Sequence, residues 1–373
     1  MSLRIAALIP AYNEAGSIGS TLTAVLGQHR VPDLVVCIPN GCSDATAEVA
    51  RGFEGVTVLE LPRLEHKKSE ALNRAWNTYA RDYDVIICLD ADTVLPPNAV
   101  GDWEQEFLAE AATDRSRTTR RVKVRDLPLG GSSSKFTMLG GDFLTRLQRA
   151  EFARWTDTSL KRGWTSVLAG TGCAISGRAL REVVALTGRE GPWSYDSQVE
   201  DFELTHEIRK LGYRCQVSPT VRAYTDSMTT VKALWGQRMK WQTGTVEDLM
   251  RIGVSRLTLL DWWQQAAGLF AAAVRLLWLV IMVGLVSTGT LHFIWFWWVI
   301  VPVVFVASEF KAALRIPHRD RRDLLMALAI VPSEVFAWLR AGWFIAAWAA
   351  VARTLVTGRR KDRWALQYAA EGV

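Results

Sequence analysis

The run AAGLFAAAVRLLWLVIMVGLVS, residues 266–287, is 22 residues long and carries one charge, Arg275. A helix of that length and apolarity matches the hydrocarbon thickness of a bilayer, so it constrains the C-terminal third more than any other feature. After a short turn comes a second run, LHFIWFWWVIVPVVFVA, residues 291–307. As a helical hairpin in water these segments would expose many Trp and Val side chains to no purpose. Most of the 17 tryptophans fall in the second half, beside the apolar runs, where indole rings favour the headgroup level. A third apolar region, 324–355, is broken by Pro332, Glu334 and Arg340 and reads as a kinked span, a re-entrant hairpin or an interfacial helix. The basic segment KAALRIPHRDRR before it belongs on the cytoplasmic side. Two full spans plus a third region that re-enters or splits keep the basic tail RTLVTGRRKDRW on that side as well.

Residues 1–225 follow another pattern. RIAALIPA, DLVVCIP, VTVLELP and DVIICLD are short apolar runs, each stopped by Pro or Asp. Amphipathic stretches such as SIGSTLTAVLGQ, DATAEVARGF and SEALNRAWNTYARD lie between them. Alternating strand and helix predicts an α/β fold with a parallel sheet and helices on both faces. Ligands of such sheets sit at the carboxyl ends of the strands. Three such ends carry polar loops: Tyr12 to Glu14, Asn40 to Asp44, and the pair Asp90 and Asp92. Burying two like charges side by side is unfavourable unless a cation shares the site, and D-x-D at a strand end suits a hard divalent ion beside a diphosphate. The stretch from about 104 to 135, rich in Arg, Gly and Ser, reads as a loop with solvated charge, or as a cover or arm touching anionic headgroups.

The balance of 44 Lys and Arg against 38 Asp and Glu, net +6, is too mild for a dedicated nucleic-acid binder. The five cysteines form no C-x-x-C pair and are odd in number, which argues against a zinc site or disulfide framework and for a reducing compartment. MSLRIAALIPAYNE reaches Pro10 and polar residues too early for a secretory signal, which puts the N-terminal half on the cytoplasmic side.

Seven stretches occur in one order: IPAYNE, NGCSDAT, KSEALNRAW, CLDADT, GTGCAIS, VEDFELTHEIRKLGYRC and QRMKWQTG. Over residues 3–250 this resembles the membrane-embedded family-2 glycosyltransferases, the relatives of cellulose, chitin, hyaluronan and poly-N-acetylglucosamine synthases. The resemblance implies a nucleotide-sugar-binding, GT-A-like domain at 1–225, interfacial amphipathic helices at 226–262, a transmembrane or re-entrant region at 263–352 and a basic cytoplasmic tail at 353–373. It implies a multi-pass protein of the inner or plasma membrane. The enzyme moves a sugar, with inversion, from a nucleotide-diphosphate sugar to a hydroxyl on a glycan or lipid-linked acceptor, with Mg2+ or Mn2+. Membrane lipids and a second copy of the chain are further partners on this reading, and nucleic acid is not.

The resemblance also implies roles. Ala11, Tyr12 and Glu14 line the base and ribose pocket. Asn40 stands where the family has an aspartate, so a charge is lost while an amide's hydrogen bonding remains. Lys68 steadies the phosphates, Asp90 contacts the nucleotide and Asp92 the metal. Asp201 falls on the general base, with Val199 in place of the family's Thr. Gly172, beside Gly170, borders the acceptor, and Glu200, Gln237, Lys240 and Trp241 serve the acceptor and the leaving diphosphate. Lys240 replaces an arginine, losing its bidentate fork, and Arg238 is a second candidate cation. From the residues alone, Glu200, Asp201 and Glu203 equally suit the acidic first turn of a helix, and QRMKW suits an interfacial helix. Two other readings compete: a transferase acting once on a lipid carrier, and a non-catalytic scaffold, which Asn40, Val199 and Lys240 would favour.

Overall fold

The first strands form where the sequence has unbroken apolar runs. They are β1 (Ile5–Ala11), β2 (Leu34–Pro39), β3 (Val56–Val58) and β4 (Val85–Cys88). Every side chain of β4, and all but one of β1, is buried. A strand covered on both faces needs apolar residues at every position, which is why these runs do not alternate. The computed structural model describes residues 2–111, 124–292 and 299–371.

Three more strands, β5 (Leu129–Met138), β6 (Cys173–Ser176) and β7 (Arg214–Thr225), complete a seven-stranded sheet of order β3-β2-β1-β4-β6-β5-β7. All neighbours pair in parallel except β6, which runs antiparallel to both β4 and β5. The expected α/β architecture is therefore present, but the sheet is mixed rather than parallel throughout. The chain winds outward from β1 to β3 and returns to pair β4 on the other side of β1. Such a reversal opens a crevice at the carboxyl ends of β1 and β4.

The helices are α1 (Ile18–Leu26), α2 (Thr46–Arg51), α3 (Lys67–Ala75), α4 (Ala99–Ala111), α5 (Phe143–Arg162), α6 (Gly177–Thr187), α7 (Glu200–Lys210), α8 (Val231–Ile252), α9 (Leu259–Ser287), α10 (Val301–Ala313), α11 (Arg321–Leu328), α12 (Ile330–Thr357) and α13 (Arg363–Glu371). The chain divides into two compact units, 1–139 with 156–226, and 140–155 with 227–373. The core of the first joins the inner strands to α3, α6 and α7 through Leu8, Ile38, Trp76, Ile86, Leu180 and Ile208. The second has its own core, with Leu144, Leu234, Met239, Phe336 and Trp343.

The stretch 104–135 corrects the expectation of a loop. Its start is in α4 and its end, LGGSSSK, is the beginning of β5, while 112–123 lie outside the described residues. Gly and Ser have low strand propensity, so pattern reading passes over them. They are needed because the sheet face is crowded. A Cβ at Gly130 would lie 2.5 Å from Ile208 Cγ2, and one at Gly131 would lie 2.4 Å from Leu168 Cδ1.

Within the second unit, α9 and α12 are long and apolar enough to cross a membrane, with mean hydropathy 2.5 and 1.5 over their best 18-residue windows. At 1.5 Å per residue, α9 is about 44 Å long, more than a bilayer core requires. Of the apolar run 291–307, residues 293–298 lie outside the described set, and α10 starts at Val301 with Pro302 in its first turn. The third apolar region, 324–355, is divided: 324–328 end α11, and the rest, from Ile330, forms α12. Pro332 lies in the first turn of α12, where no intrahelical N–H bond is lost; its ring is incompatible with a helical carbonyl at Leu328, so α11 ends there and Ala329 is extended. Glu334 is accommodated by an ion pair with Arg275 of α9 at 2.8 Å. The tail folds as α13 against α8, where Ala370 Cβ would lie 3.0 Å from a Cβ at Gly236.

Candidate active site

Two loops at the crevice are laced together by polar contacts. Ala11, the last residue of β1, accepts the amide of Asn40 at 3.0 Å. Asn13 takes a left-handed conformation, φ 53°, which asparagine tolerates better than most residues, and its Oδ1 accepts the Ser43 amide at 2.8 Å. Glu14 N–H donates to Thr46 Oγ1 at 2.8 Å and Ala15 N–H to Asp44 Oδ2 at 2.9 Å. The loop after β1, with Tyr12 and Glu14, is thus fixed against the loop after β2. Asn40 is buried, and its Oδ1 accepts the Leu64 amide at 3.2 Å. An aspartate could make the same bond, so the substitution keeps the backbone tie and removes only the charge.

Lys68, in the first turn of α3, reaches across to two carboxylates. Its Nζ lies 2.6 Å from Asp90 Oδ1 and 3.2 Å from Glu200 Oε1. Burial alone would lower its pKa, but Asp90, Glu200 and Asp201 raise it well above the ordinary value, so it stays charged. Gly170 closes over this contact: a Cβ there would lie 2.7 Å from Lys68 Nζ. Its N–H donates to Asp201 Oδ2 at 3.3 Å, and the Phe202 N–H donates to Asp201 Oδ1 at 2.8 Å. Burial, and then Glu200, push the Asp201 carboxyl up to about 6, against the opposing pull of Lys68 and the two amides. Glu200, Asp201 and Glu203 do occupy the first turn of α7, so the helix-start reading and the site reading describe the same residues.

Asp92 lies beside a group that pattern reading did not find. Thr225 Oγ1 donates to Asp92 Oδ2 at 3.0 Å, across 133 residues of sequence. The contact exists because Val94 and Tyr224 exchange backbone hydrogen bonds at 2.7 and 2.9 Å, clamping the segment after β4 to the end of β7. Burial pushes Asp92 up to about 7, with Asp90, Glu14 and Asp226 adding to the rise and Thr225 opposing it. Four carboxylates that repel one another at a crevice form a place for a cation. Among the described residues no three His, Cys, Asp or Glu side chains converge as a ready-made metal cage. Asp90 and Asp92 fit a hard divalent ion that takes its other ligands from phosphate and water, as Mg2+ and Mn2+ do.

The sequence profile of Glycosyltransferase like family 2 matches residues 3–244. The chain belongs to this family. Among curated proteins it is 26% identical over 244 residues to a poly-beta-1,6-N-acetyl-D-glucosamine synthase of Staphylococcus aureus, covering 65% of this chain and 55% of that one. The Staphylococcus epidermidis synthase of the same name is 27% identical over 256 residues, 66% of this chain and 56% of that one. The chain thus spans little more than half the length of these relatives. A mannosyltransferase from Pyrobaculum calidifontis, solved in complex with GDP-Man and Mn2+, superimposes with a TM-score of 0.55 at 16% identity, over 94% of this chain and 88% of that one. At that identity the likeness establishes the fold, and the fold is GT-A-like.

The remaining candidates of this family-2 chain fall on either side of the unit boundary. Gly172 belongs to the first unit, where its carbonyl accepts the Ser134 amide at 2.8 Å. Cys173 beside it is no nucleophile: a hydrogen bond with Cys88, and burial, raise its thiol pKa well above the ordinary value. His206 is buried within α7, its Nδ1 2.9 Å from the Phe202 carbonyl. Gln237, Lys240 and Trp241 belong to the second unit, spaced three and four residues apart on α8, and so share a helix face. Lys240 Nζ lies 3.2 Å from the centre of the Trp364 ring. Arg238 is buried, 4.6 Å from the Trp241 ring and 5.0 Å from that of Phe152, and 2.8 Å from Glu151. Gln237 Oε1 is buried without a hydrogen-bond partner among the described residues.

Proposed function

We propose that the chain is an inverting glycosyltransferase that moves a sugar from a nucleotide-diphosphate sugar to a hydroxyl of a membrane-associated glycan. The observation that carries this reading is the single cluster of Lys68, Asp90, Glu200 and Asp201, in which a charged lysine and a carboxylate pushed up to about 6 share one crevice. A base must be ionised at working pH and still want a proton, and Asp201 meets both conditions. Asp201 takes the proton of the acceptor hydroxyl as its oxygen bonds to the anomeric carbon. The bond to the diphosphate breaks on the opposite side and its electron pair leaves with the nucleotide diphosphate, which inverts the configuration. Lys68 neutralises part of the charge that develops there. Asp90 and Asp92 would hold the divalent cation, which supplies further charge neutralisation when bound. Asn40, with Ala11, Tyr12 and Glu14, is assigned to the nucleoside. Gly172, Gln237, Lys240 and Trp241 are assigned to the acceptor and diphosphate on the family motif, and Arg238, 4.6 Å from the Trp241 ring, is a second candidate cation there.

The synthase names of the relatives support a glycan product, and α9 and α12 support a membrane location; the basic segment KAALRIPHRDRR favours the cytoplasmic side for the transferase domain. Membranes containing the full chain, offered a panel of sugar nucleotides with Mn2+, are expected to release nucleotide diphosphate from one of them. Silence with every donor would sink the proposal. Sizing the product then separates a polymer from a single transfer to a lipid-linked acceptor.

Two further outcomes follow from the cluster. Because Glu200 raises the Asp201 pKa, Glu200→Gln is expected to move the acidic limb of kcat/KM, which should lie near pH 6, to lower pH. A limb that stays in place or moves up would separate it from Asp201. Gly170→Ala would force Lys68 off Asp90, and nucleoside diphosphate affinity should fall about tenfold by calorimetric titration, the loss of one charged hydrogen bond.

A further inference from the structure

The second unit contains a cavity of about 150 Å3 between α5, α9, α10, α11 and α12, and none of the residues assigned above to donor or acceptor lines it. Arg146, Arg154, Arg275 and Arg340 lie on its wall, with Glu151, Glu309 and Asp323. Most of these charges are matched. Arg146 pairs with Asp320 at 2.5 Å and Asp323 at 2.8 Å, and Arg149 lies 3.5 Å from Asp323. Arg154 pairs with Glu309, and Arg275 with Glu334, each at 2.8 Å. Glu151 is left to serve two cations, Arg238 at 2.8 Å and Arg340 at 3.4 Å. Six arginines therefore face five carboxylates in this network. The surplus falls on Arg340, which has the longer of the two contacts to Glu151; its Nε, like those of Arg149 and Arg238, is buried with no hydrogen-bond partner among the described residues.

A partly buried guanidinium with an unmet donor needs an anion. Its planar fork matches the oxygens of a phosphate better than any other common anion except a carboxylate, and the one carboxylate within reach is already shared. Leu147, Phe305 and Phe336 supply apolar wall beside the charges. The helices that bound the cavity also expose apolar side chains, Val274 and Leu277 on α9 and Val303 and Val304 on α10. That combination of a cationic pocket and an uncovered apolar flank matches a phosphate with a hydrocarbon tail.

We propose that this cavity is a phosphate-binding site, centred on Arg340, that takes one singly charged phosphate group, carried by a lipid headgroup or free in solution. It does not rest on the transferase reading, because no residue of the donor crevice takes part.

The test uses the full chain purified in a non-ionic detergent. Dioctanoyl phosphatidylglycerol, dioctanoylglycerol, which lacks the phosphate, and inorganic phosphate are added in turn, and thermal unfolding and native mass spectra are recorded. Phosphatidylglycerol is expected to raise the Tm and to be retained at one molecule per chain, and dioctanoylglycerol is not. Arg340→Gln removes the surplus cation and leaves Arg238 paired with Glu151. It should weaken retention by about tenfold or more, and Arg340→Lys should fall between. Stabilisation by inorganic phosphate equal to that by the lipid assigns the free anion as the ligand, and a response to the lipid alone assigns the headgroup. Equal retention of dioctanoylglycerol and phosphatidylglycerol, or an Arg340→Gln chain that folds and binds like the parent, overturns the site. Were Arg340→Gln to lose its fold, Arg340→Lys with unchanged retention would overturn it equally.

Discussion

Asp201→Asn is expected to lower kcat by roughly 10²–10⁴-fold, the usual worth of a general base, with nucleotide affinity nearly unchanged. The amide has the carboxylate's shape. It can keep the 2.8 Å bond from the Phe202 N–H and surrender the weaker 3.3 Å bond from Gly170. What it cannot do is accept a proton. The nucleotide contacts assigned to Lys68 and Asp90 do not pass through it, so the loss should appear in kcat and not in donor binding. Initial rates of nucleotide diphosphate release, set beside titration of the nucleotide alone, separate the two. A variant with wild-type turnover would remove Asp201 from the mechanism. A variant that binds nucleotide poorly would make it a structural anchor of the α7 start.

The second large effect concerns Asp92, where two readouts should move in opposite directions. Asp92→Asn removes a ligand of the expected cation, and turnover should fall by about 10²-fold or more. The same change should make the metal-free chain more stable. The folded-state pKa of Asp92, about 7, lies above the ordinary value of 3.8, so the folded protein holds the proton more tightly than the unfolded chain. Stability then declines as pH rises from about 4 to about 7, and the full penalty is present above that. Asparagine carries no charge and still accepts from Thr225. The gain should therefore be absent near pH 4 and reach on the order of 1–2 kcal/mol at pH 8, after allowance for solvent screening of a partly exposed group. Thermal unfolding of the full chain in chelator, at both pH values, measures it. Added Mn2+ should raise the Tm of the parent above that of the variant and so reverse their order. No gain at pH 8 in chelator would mean that Asp92 is not repelled by Asp90, Glu14 and Asp226.

Much of the donor side could be read from local patterns, because its residues sit where a physical rule places them. β1, β2 and β4 are apolar at every position because both faces are covered, and each gives way to Asn or Asp within two positions of its end. Asp90, Tyr12 and Asn40 then lie at strand ends by counting alone. The acidic start of α7 was equally visible, since a helix N-terminus favours carboxylates whatever else they do. Other features had no such signal. β5 hides in LGGSSSK because its small residues answer to Leu168, Ile208 and Tyr213, which are distant in sequence. Thr225 and Asp226 look like any polar pair after a strand until the Val94–Tyr224 bridge brings them to Asp92. Residues 140–155 read as part of the N-terminal half, yet they pack with the C-terminal helices.

The sequence by itself determined the alternation of strands and helices, the first apolar stretch, which became α9, and the chemical types available at the strand ends. These follow from periodicity and length, which act over a few residues. That, among the described residues, the broken third region and not 291–307 supplies the second long apolar helix, α12, came from the fold. Only the tertiary structure decided that β6 runs against its neighbours, that Lys68 spans Asp90 and Glu200, and that Glu151 must serve two arginines. Those are balances of charge and space among groups far apart in the chain. A carboxylate's pKa or an arginine's missing partner is a property of its surroundings, and the surroundings exist only once the chain has folded.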